Sequence, residues 1–464
     1  MATVADKFAR LAALKPARAS VQRREDPTCN TGIWGTRLPE LRAPNEEDPI
    51  SRLLGGGIAR NRYGEHLAIR NWFSTPEFAA PSPVTLELLS RTRDQSLSRR
   101  TRAALENPEK WLFLDTETTG LSGGTGTYAF LVGLAWWDAG GLQVEQLFLR
   151  DFSEEHSLLH ELAERLAERP VLVTFNGTTF DWPLLENRFT MTRAIRVPQI
   201  AAHLDLLHPS RALWKFRVGS VKLVELERQV LDPARLGWHR EDDIVSATIP
   251  QIYFDYLRGG VGYPLVGVVK HNQMDLRGLA SLFGKINVLL DAQNSEPDTD
   301  SLDLFGLSRF LHRKGEKDRA HSACSRALDA GLPVEFRMQA TRDLALMAKR
   351  RGERQRAAEL WLELSTHPKG GIFACEQLAM YYERHEKDLA QAINFTQLAL
   401  SKLRMQVARS RQRFANPQTA RLEKKLLCRL ERLRHRIAKD LAAPRVPLLA
   451  DSAVAACGSR QFTK

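Results

Sequence analysis

The stretch WLFLDTETTG, starting at Trp111, constrains this chain more than any other ten residues in it. Four apolar residues run into Asp115, and Glu117 follows two places later. A short apolar run of this kind reads as a buried β-strand, whose side chains alternate between faces. Asp115 and Glu117 therefore leave the strand on the same side. Two more acids stand in patterned surroundings, Asp181 in FNGTTFDWP and Asp275 in HNQMDLRGL. If all four meet at one edge of a sheet, they cannot stay ionised together without cations. An oxygen-only site of that kind suits Mg²⁺ or Mn²⁺, and two such ions are the usual machinery for hydrolysing a phosphodiester.

The segments around this strand outline an α/β fold, a mixed sheet flanked by helices, followed by an all-α region. Thr127–Trp137 and Leu142–Arg150 read as two more strands joined by a turn at 138–141, which makes an antiparallel meander with the first. A helix is expected from Ser153 to about Ala167, with Leu158, Leu159, Leu162 and Leu166 on one face. Then come a strand at Val171–Phe175, a helix at Asp181–Arg188 and a strand at Leu204–Leu207. Helices follow at Lys222–Val230, Ser246–Leu257 and Pro264–Leu289. The pattern predicts an N-terminal extension over 1–100, with room for one small hairpin in LLGGGIARNRYGEHLAIRNWF, and a main domain over 101–295. Beyond residue 300 every segment is helical. Charged turns open similar stretches at Lys314, Arg351 and His385, spaced 37 and 34 residues apart. That period resembles tetratricopeptide-type (TPR) helical hairpins over 300–400, a surface for a protein partner. A basic helical tail covers 401–464.

Charge placement supports a polyanionic ligand. The chain carries a formal +12, and from Ser401 onward sixteen Lys/Arg face four Asp/Glu. The tail thus holds as much net charge as the whole chain, and Lys/Arg contacts to phosphates release counterions. Five scattered cysteines without metal-ligand spacing argue for a reducing cytoplasm and against a zinc site. No apolar run is long enough to span a bilayer, and no secretory signal is read at the N-terminus.

His271 and Asp275 are four residues apart in a helical segment, so both face one side. Asp275 would complete the cage of Asp115, Glu117 and Asp181. His271 would stand beside the attacking water as general base, since imidazole titrates near neutrality. DTETTG, N-G-x-x-x-D and H-x-x-x-D resemble the three motifs of the DEDD 3′→5′ exonucleases of the ribonuclease H-like superfamily. The longer wording, FLDTETTGLSGGTGTYAFLVG with HLDLLHPSRALW and HNQMDLRGL, is similar to the YprB-like bacterial ribonuclease H-like proteins. The likeness covers about 111–290. It implies a ribonuclease H-like exonuclease acting on single-stranded nucleic acid from a 3′ end, with Asp115, Glu117, Asp181 and Asp275 holding two Mg²⁺ or Mn²⁺. One departure stands out: three residues separate the histidine from the aspartate, the spacing of the tyrosine-type members.

Thr116, Thr118, Asn176 and Lys222 are candidate substrate contacts, with Lys215 and Arg217 as further phosphate-binding candidates. Asp205, between His203 and His208, is read as structural, and Asp242 and Asp243 as a helix N-terminal pair. Gly120–Gly126 lacks GxxxxGK[ST], so no nucleotide-cofactor loop is expected. Two other functions stay open from sequence: a nucleic-acid-binding adaptor that works through its helical repeats, and a structure-selective endonuclease on the same metal site.

Overall fold

The first described elements are α1 (Pro49–Leu54) and strands β1 (Gly57–Asn61) and β2 (Gly64–Ser74). The computed structural model describes residues 41 and 48–442, except 75–81, 91–97, 121–125, 139, 233, 235–236, 239, 241–242, 292–298, 368–370 and 410–416. Most of the glycine-rich 120–126 loop, Asp242, Cys29, Cys457 and residues 443–464 of the basic tail lie outside the described residues. Two short helices, α2 (Pro83–Ser90) and α3 (Arg99–Leu105), precede β3 (Trp111–Thr118), β4 (Ala129–Asp138) and β5 (Gly141–Phe148). Next come α4 (Glu155–Glu168), β6 (Val171–Thr174), α5 (Asp181–Thr192) and β7 (Ala202–Asp205). Helices α6 (Leu207–Val218), α7 (Leu223–Val230), α8 (Ile249–Leu257), α9 (Pro264–Leu290), α10 (Ser301–Lys314) and α11 (Lys317–Asp329) follow.

One seven-stranded sheet has the order β1-β2-β5-β4-β3-β6-β7. The predicted meander is present: β3, β4 and β5 pair antiparallel. β6 and β7 add in parallel on the other side of β3, which α-helical crossovers make possible. The early hairpin is part of this sheet, because β2 pairs with β5 from Leu67↔Phe148 to Ser74↔Gly141. A buried ion cluster holds that seam. Arg70 on β2 and Arg165 on α4 reach the Glu145 carboxylate on β5 at 2.7 and 2.6 Å. Burial would raise the Glu145 carboxyl, but the two guanidiniums hold it down at about 2.

Alternation along β3 sorts its side chains into two layers. Leu112 and Leu114 join the leucines of α4 and α5 in one core. Trp111 and Phe113 lie under α9, with ring centroids 4.8 and 6.5 Å from that of Phe283. Trp137 packs against Phe113 at 4.8 Å, whereas Arg169 covers the ring of Trp136. Helix α9 therefore runs along β3 with its aromatic end over Trp111. Eight helical residues from Phe283 to Asp275 span about 12 Å, and four strand residues from Trp111 to Asp115 span about 13 Å. The acids of strand and helix thus arrive at the same end.

Helix α6 was not anticipated. Its Pro209 falls in the first turn, where a missing N–H costs nothing, and Leu213 and Trp214 are buried. Helix α10 packs directly on α6, close enough that a Cβ at Gly306 would meet the Leu213 carbonyl carbon at 2.8 Å. Arg217 makes a two-pronged ion pair to Asp303 on α10, 2.8 Å at each oxygen. That tie commits Arg217 to the fold, in place of the phosphate contact expected of it.

The chain divides into two compact units, Met1–Ala330 and Gly331–Lys464. In the second, the elements of the described residues are all helical: α12 (Val334–Arg351), α13 (Arg354–Ser365), α14 (Gly371–Tyr381), α15 (Leu389–Arg409) and α16 (Pro417–Ala442). The mixed sheet with flanking helices and the helical C-terminal region agree with the fold class read from sequence. On α16, Arg429, Arg432 and Arg436 all pair with the buried Glu383, and Lys425 pairs with Glu376. Part of the tail's positive charge is therefore spent on internal partners.

Candidate active site

Three elements deliver the site. Asp115 and Glu117 end β3, opposite Gly133 and Leu131 of β4, and the register shifts between Glu117 and Thr118. Such a bulge at a sheet rim re-aims the side chains beside it. Asp181 is the first residue of α5. His271 and Asp275 stand one turn apart on α9, with His271 Nε2 3.6 Å from an Asp275 oxygen. One ligand atom each from Glu117, His271 and Asp275 lie within 4.8 Å of one another. Asp115 and Asp181 are close enough for their charges to act on this group.

The electrostatics follow. Burial pushes the Asp115 and Glu117 carboxyls well above the ordinary range, and the charges of Asp275 and Asp181 push them further. Asp181 is raised as well, by burial first, although a hydrogen bond from Thr116 works against the shift. Like charges crowded in a dry place favour protons or cations over bare ionisation.

The supporting contacts explain the local sequence. Thr116 Oγ1 donates to Asp181 Oδ1 at 2.6 Å. Thr118 donates to the Gly120 carbonyl at 2.8 Å. Asn176 sits at φ 67°, in the left-handed region that asparagine tolerates better than most residues. Its backbone N–H donates to Asp205 at 2.8 Å, as do the Thr178 hydroxyl at 2.5 Å and the Leu207 N–H at 3.1 Å. Asp205 is thus a structural residue, and it holds the loop that leads into Asp181. Lys222 is exposed just before α7, and its charge falls on Glu225.

Asn272, beside His271, donates to Asp115 Oδ2 at 2.8 Å and accepts from Gln146 Nε2 at 2.8 Å. A Cβ at Gly133 would stand inside Asn272 Oδ1 and 2.8 Å from its Cγ, so glycine lets the amide reach Asp115. Sequence reasoning missed Asn272 and Gln146. For Asn272 the available signal was an amide at helical spacing from Val268, Val269, Leu276 and Leu279.

Asp243 was misread. It lies three residues before the next helical turn, and both its oxygens are 2.8 Å from His271 Nδ1. Arg240 also was not foreseen. Its guanidinium bonds the buried Glu227 at 2.5 and 2.7 Å, Asp243 at 2.8 Å, and Asp275. Burial disfavours its charge, but the Glu227 hydrogen bonds and the Asp275 charge outweigh that and raise its pKa above the ordinary value.

Residues 112–287 match the RNase_H superfamily. That interval contains all five predicted site residues together with Asp243 and Asn272. A protein of Bacillus subtilis (strain 168) described as "Uncharacterized protein YprB" is 29% identical over 345 residues, covering 71% of this chain and 81% of that protein. With the sheet order described above, the first unit has a ribonuclease H-like fold.

Proposed function

We propose that this chain is a divalent-metal-dependent nuclease that hydrolyses single-stranded nucleic acid from a 3′ end. The observation that carries the reading is the meeting of four acids from three separate elements, with the Asp115, Glu117 and Asp181 carboxyls pushed up by burial and by neighbouring negative charge. The donor set fits hard divalent cations, because carboxylate oxygens predominate and, among the described residues, the group contains no thiolate. Asp115, Glu117, Asp181 and Asp275 would hold two Mg²⁺ or Mn²⁺. Bound there, such ions supply an acidified water and neutralise charge on phosphate oxygens.

The chain's own residues do the rest. An ionised Asp243 can only accept, so Nδ1 of His271 carries the proton and Nε2 is left as the base. Nε2 faces Ser246 Oγ at 3.3 Å and the Glu117–Asp275 group, where it can take the proton of the attacking water. Asn272 keeps Asp115 in place, and Thr116 does the same for Asp181. Arg240 ties Asp243 to Asp275, so the base and the helix acid move together. Thr116, Thr118, Asn176 and Lys222 are the proposed substrate contacts. The C-terminal helices are proposed as TPR-like repeats that dock a protein partner, and a cytoplasmic location is inferred from the scattered cysteines. Among the described residues no helix is long and apolar enough to cross a membrane.

A digestion panel of single- and double-stranded DNA and RNA with Mn²⁺, run with wild type and Asp115→Asn, tests the reading. Stepwise loss of nucleotides from the 3′ end, abolished in the variant, is expected. Internal cuts in a circular single strand would replace exonuclease with endonuclease. Binding without any cleavage would leave only the adaptor function.

A further inference from the structure

At the end of β7 lies a cavity of about 500 Å³, to which none of the roles above is assigned. Strands β3, β6 and β7 are parallel, so their carboxyl ends share one edge of the sheet. Crevices outside such ends are where open α/β sheets bind ligands. The cavity opens at the end of β7. Leu204, Leu206, Pro209 and Phe310 give it an apolar lining, and His203, His208, Arg313 and Lys314 give it a polar one. Its size suits one base with its sugar and phosphate, at the lower end of ordinary ligand pockets.

Two further observations point to a nucleotide. Cations and apolar surface occur together, as a base with an attached phosphate requires. Arg313 is exposed, Lys314 is half-buried with its ammonium over the Phe310 ring, and His208 is exposed on α6. The cavity is also tied to the metal-binding edge through shared residues. Thr178 and Asp205 line it, and these same residues bond each other and set the loop that ends at Asp181. The Asp205 charge reaches Asp181 itself. A strand whose scissile phosphate lay at Asp181 would pass over Thr178 to reach the cavity.

We infer that this cavity is a nucleotide subsite, receiving one nucleotide of the substrate strand beside the cleaved position, with its base on the apolar lining and its phosphate at Arg313 and Lys314. The inference rests on the nuclease reading, and it gives α10 a part in substrate binding. Helix α10 would then serve two ends: Asp303 and Gly306 seat it on α6, and its last turn presents the cations.

The test is fluorescence anisotropy of the full chain with labelled ten-residue oligo-dT and oligo-rU, in EDTA and over a salt series, so that neither metal nor cleavage enters. Each phosphate neutralised contributes about 0.7 to the slope of log K against log salt for a single strand. Arg313→Gln with Lys314→Gln removes the contact to that one phosphate and should therefore reduce the slope by about 0.7. Ala212→Trp, which fills the cavity from α6, should weaken binding while leaving the slope in place; a thermal melt checks that it folds. Unchanged slope and affinity in the double variant would overturn the subsite. So would equal competition by a nucleoside monophosphate at matched nucleotide concentration, which would make the occupant a free nucleotide. Wild-type digestion with Mn²⁺ is scored separately, so loss of the nuclease reading is distinguishable from loss of the subsite.

Discussion

Gly133→Ala probes the least obvious part of the site, the amide that holds Asp115. A Cβ at this position would overlap Asn272 Oδ1 and stand 2.8 Å from both Cγ and Nδ2. The neighbour cannot swing aside cheaply, because Asn272 is fully buried and bonded to both Gln146 and Asp115. Overpacking of this kind costs about 1–3 kcal/mol. Displacing the amide would also remove a donor from Asp115 and an acceptor from Gln146, at about 1 kcal/mol for each hydrogen bond. Alanine recovers about 0.5–1 kcal/mol through lower backbone entropy of the unfolded chain. The net expectation is a loss of about 2–4 kcal/mol. In an Asn272→Ala background the obstruction is gone, and Gly133→Ala should be neutral or slightly stabilising. Urea unfolding of the four proteins in the cycle gives the coupling directly. A coupling near zero, with the same cost in both backgrounds, would refute the close-approach argument.

Metal-free stability should fall as pH rises. Asp115, Glu117 and Asp181 have raised folded-state pKa values, so the folded chain binds more protons than the unfolded one above the ordinary carboxyl range of about 4. Melting in EDTA from pH 4.5 to 8 should show a declining Tm that Mn²⁺ restores most at the upper end; a wild-type profile as flat as that of Asp115→Asn would contradict this. Asp243→Asn should lower cleavage about 10–100-fold, the usual cost of losing a partner that orients a site histidine, with unfolding midpoints as the control; undiminished kcat would dismiss the orienting role. Glu145→Gln leaves Arg70 and Arg165 without their shared anion and should destabilise by about 3 kcal/mol. Glu145 is held low, so its contribution is present at neutral pH and is lost as pH falls through about 2. Equal urea midpoints for the two proteins would show that the cluster carries no net stability.

Much of the first unit was legible without coordinates. The alternation in Trp111–Glu117 placed two acids on one face, and the four-residue step from His271 to Asp275 placed two groups on another. Helix α9 was expected to end at Leu289 and ends at Leu290. Such features depend on neighbours within a turn or a strand pair, where backbone geometry alone decides direction. Boundaries slipped where local signals conflict: Ser153 lies within a 3₁₀ turn, Phe152–Glu154, and α4 proper begins at Glu155.

Long-range closure settled the rest. Nothing periodic marks the segment from Leu231 to Val245, yet it carries Arg240 and Asp243 to Asp275 and His271. The pairing of β2 with β5 joins residues about seventy positions apart through a buried ion cluster, and no local propensity reports that contact. Helix α10 looked like the start of a repeat array, but Asp303 and Gly306 seat it on α6. A chain declares by itself what each short segment prefers, because those preferences are set by adjacent residues. Which distant charges share a partner is decided only when the core closes and removes the water that would otherwise separate them.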